Sequence, residues 1–162
     1  MSQMFKRRIV REKVLQVLYA YELNSQDNNL IQEELFSEIT VEADKQFAYD
    51  LVNRVKIYHS DLDLKIKARV DNWEMNRIAL IDKILLRMGI CELLYFPDIP
   101  PKVSINEAIE IAKIYSTAGS GKFINGILDA ILSEIKSEGK LNKSGRGLVE
   151  ETISKTSHKH DH

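Results

Sequence analysis

The chain has 162 residues, 44% hydrophobic and 29% charged, close to the average of globular domains. It is long enough to bury about 70% of its unfolded surface without disulfides or a structural metal. With 23 Lys+Arg against 24 Asp+Glu the net charge is −1, which excludes a global basic field and requires any nucleic-acid surface to be a local patch. The single cysteine, Cys91, excludes an intramolecular disulfide. MSQMFKRRIV has no apolar secretory segment, and no apolar run approaches the ~18 residues that cross a bilayer, so a cytoplasmic protein is expected.

Only seven Gly and three Pro are present, and apolar residues recur at three and four, which predicts an all-α fold. Val10, Val14, Val17, Leu18 and Tyr21 make one face of a first helix from about Lys6 to Leu23, and the polar run Asn24 to Asn29 stops it. A short amphipathic piece, Leu30 to Phe36, precedes a long helix whose buried stripe is Phe47, Leu51, Val52 and Val55. Ser60 to Asp63 has the form of a capping box with Asp in place of Glu, so a break near His59 and a restart through Val70 are expected.

Beyond Asp71, Ile78, Ile81, Ile84, Leu85, Met88 and Leu94 spread over so wide an arc that this helix belongs at the centre of the core. Pro97, Pro100 and Pro101 end it by removing amide donors. Ser104-Ile-Asn-Glu107 is a complete S-x-x-E box and predicts the next helix start. A small polar loop, Thr117 to Gly121, separates it from a last helix carrying Phe123, Ile124, Ile127, Leu128, Ile131, Leu132 and Ile135. The expected domain is residues 1–139, with helical halves at about 6–70 and 76–137, and residues 140–162 are expected to be a disordered polar tail.

The inventory for catalysis is poor. His59 is the one histidine outside the tail, and His158, His160 and His162 alternate at its end, where adventitious metal binding is the modest reading. Cys91 lies in an apolar stretch and reads as core. Gly119-Ser-Gly-Lys122 fails the phosphate-loop pattern, which needs Gly at Ser116 and Ser or Thr at Phe123. Exposed amides beside Lys122 can still receive a phosphate oxygen, or the segment is an ordinary Gly-rich turn. No catalytic residue, cofactor or metal site is assigned.

The sharpest feature is Lys6, Arg7, Arg8, Arg11 and Lys13, opposed nearby only by Glu12 for a local charge of +4. Cations in the first turns of a helix oppose its macrodipole unless an external anion compensates. Arg7 and Arg11 share a face at i, i+4, and Arg8 meets Arg11 at i, i+3, forming a ridge that suits phosphates. A solvated, solubilising face is the plain alternative. Tyr19, Tyr21 and Phe123 suit base stacking, although Tyr21 and Phe123 also lie on apolar stripes and, taken alone, read as core.

With these elements placed, the sequence resembles the NusB family of bacterial transcription antitermination and ribosomal RNA biogenesis factors. The resemblance rests on Arg7-Arg8-Ile-Val-Arg11-Glu12 with Val14 to Leu23, on Ile84 to Leu94, on Pro97 to Lys113 and on Lys122-Phe-Ile-Asn-Gly-Ile-Leu-Asp129. It covers roughly Lys6 to Ile135. It implies two small perpendicular helical subdomains in one compact bundle, and binding without catalysis. The implied partners are ribosomal protein NusE, the single-stranded boxA element of nascent ribosomal RNA, and elongating RNA polymerase with other Nus factors.

By position, the resemblance implies RNA contacts from Lys6, Arg7, Arg8, Arg11, Lys122 and Phe123, and a NusE-facing side at Tyr19, Leu23 and Asp82. Ile9 stands where the family often has a third Arg. Gly119 and Gly121 stand where it often has an acidic residue and His, so RNA affinity or preference is expected to differ. A helical interaction module or homodimer without specific RNA binding is the alternative. Some RNA methyltransferases carry a NusB-like domain beside an α/β catalytic domain, so methyl transfer by this chain alone is not expected.

Overall fold

A computed structural model describes residues 3–24 and 29–148. The histidines at 158, 160 and 162 lie outside the described residues. Within them the chain forms eight α-helices and one short 3-10 turn, with no strand: α1 (Gln3–Leu23), α2 (Asn29–Phe36), α3 (Glu42–Ile57), α4 (His59–Lys67), α5 (Asn72–Arg77), α6 (Leu80–Tyr95), α7 (Pro101–Tyr115) and α8 (Ala118–Ser137). The fold is all-α, as the apolar spacing implies.

The wide apolar arc of α6 has the expected consequence. Ile84, Leu85, Leu86, Met88, Ile90, Cys91 and Leu93 are all buried, and α6 packs against α1, α3, α4, α7 and α8. A division at Asp71 leaves α1–α4 on one side and α7 with α8 on the other, and α6 contacts both groups. Gly89 permits the close approach of α8, since a Cβ there would lie 2.8 Å from Leu128 Cδ1. Three charged residues that interrupt the arc, Asp82, Arg87 and Glu92, are buried too. Burial of such groups is costly unless they are paired, and their partners join the helices.

Several helix starts differ from the expectation. α7 begins at Pro101, three residues before Ser104, with Pro100 as its cap. Proline at the first helical position has its φ preset and no amide to satisfy, so no side-chain cap is needed. Ser104 and Glu107 therefore face inward: Ser104 Oγ donates to Glu92 Oε1 at 2.9 Å, and Glu107 accepts from Arg8. The Ser60 box is likewise not formed, because α4 starts at His59 and Tyr58 caps it. A capping box does form at α5, where Asp71 Oδ1 accepts from Glu74 N at 2.8 Å and Glu74 Oε2 accepts from Asp71 N at 3.3 Å.

The expected Thr117–Gly121 loop is the first turn of α8, with Thr117 as its cap and Ser120 returning the contact. Residues 141–148 of the expected disordered tail are ordered on the fold, and residues 149–162 lie outside the described residues. Leu141 packs on the core, Ser144 N donates to Pro97 O at 3.0 Å, and Gly145 to Leu148 form the 3-10 turn. Lys143 Nζ donates to Glu92 O at 3.1 Å and Phe96 O at 2.8 Å. The reason lies in the prolines: the turn after α6 is short of amides for the last carbonyls of the helix. Lys143 supplies the missing donors from 51 and 47 residues further along the chain, and the segment 141–148 forms a strap over the end of α6.

Candidate nucleic-acid interface

The cationic cluster of α1 is built into the fold by four acidic partners. Arg7 Nε donates to Asp44 Oδ1 at 3.0 Å, tying α1 to the first turn of α3. Arg8 donates from Nε and Nη2 to Glu107 at 2.7 and 3.0 Å, tying α1 to α7. Arg11 donates from Nε and Nη2 to Glu92 at 3.0 and 2.8 Å, tying α1 to α6. Lys13 pairs with Glu38. Lys6 is exposed and alone of the five has no carboxylate partner among the described residues.

The ridge is therefore graded. Arg11 is only 2% exposed, so the structure removes it from the expected phosphate contacts. Burial alone pulls its pKa down, but the charge and hydrogen bonds of Glu92 outweigh this and hold the guanidinium ionised. Arg8 keeps part of its side chain accessible while both Glu107 oxygens hold it, and that hydrogen bonding raises its pKa. Arg7 is one-quarter exposed, and its guanidinium lies over the Phe47 ring, 4.4 Å from the centroid. Lys6 and Arg7 are thus the open end of the ridge.

The second expected contact lies elsewhere on the surface. Lys122 is exposed and Phe123 half-buried at the start of α8. Phe123 borders an open groove of about 350 Å³ with Arg77, Ile78, Asp82, Thr117 and Gly119. Helix α7 connects the two regions: Glu107 holds Arg8, and two residues on, Ile109 packs against Gly121. The structure does not bring Lys122 or Phe123 into contact with the arginines.

Among the expected partner-facing residues, Tyr19 and Leu23 are exposed one turn apart on α1. Asp82 is only 6% exposed and accepts from Ser120 Oγ at 2.7 Å, so it fixes the first turn of α8 and lines the Phe123 groove instead of joining the α1 pair on an open face. Phe47 is the core residue that the sequence predicts, but its place under Arg7, and the roles of Asp44 and Glu107 in holding the ridge, escape a reading of the sequence. For the acidic residues the one visible signal is charge inside apolar stripes, as at Glu107 and Glu92.

Other candidate chemistry is absorbed by structure. Burial pushes the Cys91 thiol far up, so it is no nucleophile. His59 sits between Glu22 at 3.1 Å and Asp63 at 3.7 Å, and Arg87 binds both carboxylates.

The sequence profile of the NusB family matches residues 8–133. The chain belongs to the NusB family. It is 51% identical over 149 residues to the transcription antitermination protein NusB of Chloroherpeton thalassium, covering 89% of this chain and 69% of that protein. The NusB of Salinibacter ruber is 45% identical over 151 residues, covering 90% and 92%. The solved structure of T. maritima NusB superimposes with a TM-score of 0.73 at 40% identity, over 79% of this chain and 91% of that one. A structure of NusB and NusE in complex with double-stranded RNA has the same fold, with a TM-score of 0.72 at 24% identity over 82% and 99% of the two chains. The family is one of transcription antitermination factors, and no helix among the described residues is long and apolar enough to cross a membrane.

Proposed function

We propose that this protein is a cytoplasmic antitermination and ribosomal RNA biogenesis factor that pairs with ribosomal protein NusE. The pair binds boxA single-stranded RNA in the nascent transcript and, with other Nus factors, makes RNA polymerase termination-resistant. The observation that carries the reading is the graded ridge of α1, whose open end presents Lys6 and Arg7 in a chain of net charge −1. A local cationic edge on a neutral protein suits a backbone-tracking contact strengthened by a partner. The NusB structure that contains NusE and RNA supports the partnership.

Residue roles follow the accessibility. Lys6 and Arg7 contact phosphates, Arg8 adds a weaker, longer-range attraction through the charge on its partly exposed side chain, and Arg11 supports the ridge from inside. Lys122 contributes a further phosphate contact, and Phe123 offers a ring face in its groove for an unpaired base. Tyr19 and Leu23 form an apolar patch for NusE.

The test is competition binding of the protein, alone and with NusE, to a boxA-like single-stranded RNA and to a scrambled RNA of equal length, at two salt concentrations. Preference for boxA that rises with NusE is expected. Equal, salt-sensitive binding to both RNAs would reduce the surface to a nonspecific basic patch. Self-association that persists without any RNA preference would favour a homodimeric interaction module.

A further inference from the structure

We infer that Asp44 and Phe47 of α3 are positioning residues for Arg7, presenting the Nη edge of its guanidinium to an RNA phosphate. The inference rests on the RNA-binding reading above and names the device that makes its open cation selective for a phosphate.

Three observations converge. Asp44 Oδ1 accepts from Nε of Arg7 at 3.0 Å, and no hydrogen bond from either Nη group to a described residue accompanies it. The guanidinium rests on the Phe47 ring at 4.4 Å from its centroid. The ring is itself fixed, being buried and packed edge-on against Phe96 at 5.5 Å between centroids. A guanidinium held at Nε and supported on one face keeps its two Nη groups as a fork, the geometry that matches two phosphate oxygens.

Arg11 also lies over the Phe47 ring, at 5.2 Å from its centroid, but the neighbours of Arg7 on the ridge do not share its fork geometry. Arg8 and Arg11 each use Nε together with Nη2 on a single carboxylate, so their forks are spent within the protein. Asp44 is suited to the holding task because it lies in the first turn of α3, where the macrodipole favours a carboxylate. Nearly buried itself, it faces Arg7 while the arginine remains one-quarter exposed. A long, flexible side chain is thereby ordered before the RNA arrives, and the ordering cost of binding falls.

An opposing effect makes the claim sharp. A carboxylate close to the phosphate also repels it and masks the arginine's charge. If masking dominates, removing Asp44 tightens RNA binding; if positioning dominates, removing it weakens binding. The pre-ordering argument sets the expected loss at about two- to tenfold.

The experiment measures the affinity of Arg7→Ala, Asp44→Ala, Asp44→Asn, Phe47→Leu and the double variants with Arg7→Ala for a boxA-like single-stranded RNA, in the presence of NusE. Circular dichroism and thermal melts establish the folded fraction of each. Arg7→Ala is expected to weaken binding and lower its salt dependence. Asp44→Ala should weaken it in the Arg7 background and change nothing once Arg7 is absent, and the loss from Phe47→Leu, whose ring also lies under Arg11, should shrink once Arg7 is absent. Asp44→Asn, which keeps an acceptor for Nε, should recover part of the loss.

Tighter or unchanged binding by folded Asp44→Ala overturns the inference while leaving Arg7 as a contact. Equal losses with and without Arg7 also overturn it, since they report a general structural effect. No effect of Arg7→Ala would instead overturn the assignment of Arg7 to the RNA surface, on which the inference stands.

Discussion

Arg11 and Glu92 form a two-pronged ion pair inside the protein, with Nε and Nη2 of the arginine 3.0 and 2.8 Å from the two carboxylate oxygens. Ser104 Oγ donates to the same carboxylate at 2.9 Å, so one side chain of α6 secures both α1 and α7. The backbone carbonyl of Glu92 also receives Lys143. Glu92 is consequently the point at which the cationic helix, the central helix, α7 and the strap are joined.

Arg11→Ala leaves the Glu92 carboxylate buried without its cation. Loss of one partner from a buried pair costs on the order of 3–5 kcal/mol. Urea denaturation should show a lower midpoint of that order. Joint replacement, Arg11→Met with Glu92→Leu, should recover much of the stability because no unpaired charge remains. A wild-type midpoint for Arg11→Ala would mean that the pair contributes nothing to stability.

The helical faces could be read from the sequence because apolar spacing of three and four is a local signal. The fate of the arginines could not. The partners of Arg7, Arg8 and Arg11 are 37, 99 and 81 residues away, and no local pattern announces such a pairing. The charge spacing that places Arg7 and Arg11 on one face is the same whether that face meets phosphate or buried carboxylate. Ser104 and Glu107 misled for a related reason: a spacing of three serves a capping box and also places two side chains on one side of a helix. Phe123 and Tyr21 are ambiguous in the sequence because ring exposure depends on which neighbouring helix arrives.

Phe123→Ala should weaken RNA binding by about 1–3 kcal/mol if the ring stacks on a base. The ring is half-buried and borders an open groove, so the folded state should survive its removal. Affinity measured beside a melting curve separates the two effects. Unaltered RNA affinity in a folded Phe123→Ala variant would make the ring purely structural.

Leu23 is 65% exposed, and Tyr19, one turn earlier, is also open to solvent. Changing them to Asp and Ala, respectively, removes little buried surface, and surface substitutions of this kind usually shift stability by no more than about 0.5 kcal/mol. NusE binding measured by calorimetry should nevertheless fall. Undiminished NusE affinity in the double variant would place the partner face elsewhere.

Burial lowers the Lys143 pKa from 10.5 to about 8, partly opposed by the charges of Glu92 and Asp98. Between those values the unfolded chain holds the proton and the folded chain has released it. Unfolding there takes up protons, so the contribution of this group to stability rises with pH. It is fully present above 10.5 and is lost as pH falls through about 8. The stability difference between wild type and Lys143→Met, followed by urea denaturation across that window, should move in favour of wild type as pH increases. A difference independent of pH would show that Lys143 titrates alike in both states.

Gly147 sets the seating of the strap. A Cβ at this position would lie 2.1 Å from Pro97 O, a backbone atom with no freedom to rotate away. Gly147→Ala must therefore lift the 3-10 turn from the end of α6. The adjoining bond from Ser144 N to Pro97 O should open, exposing that amide to solvent exchange. Hydrogen exchange should accelerate at Ser144, and overpacking of this kind costs typically about 1–3 kcal/mol. The helices should keep their native circular dichroism, because the contacts of Glu92 with Arg11 and Ser104 do not pass through Gly147. Unchanged exchange at Ser144 would mean that the strap accommodates the methyl group without leaving its seat.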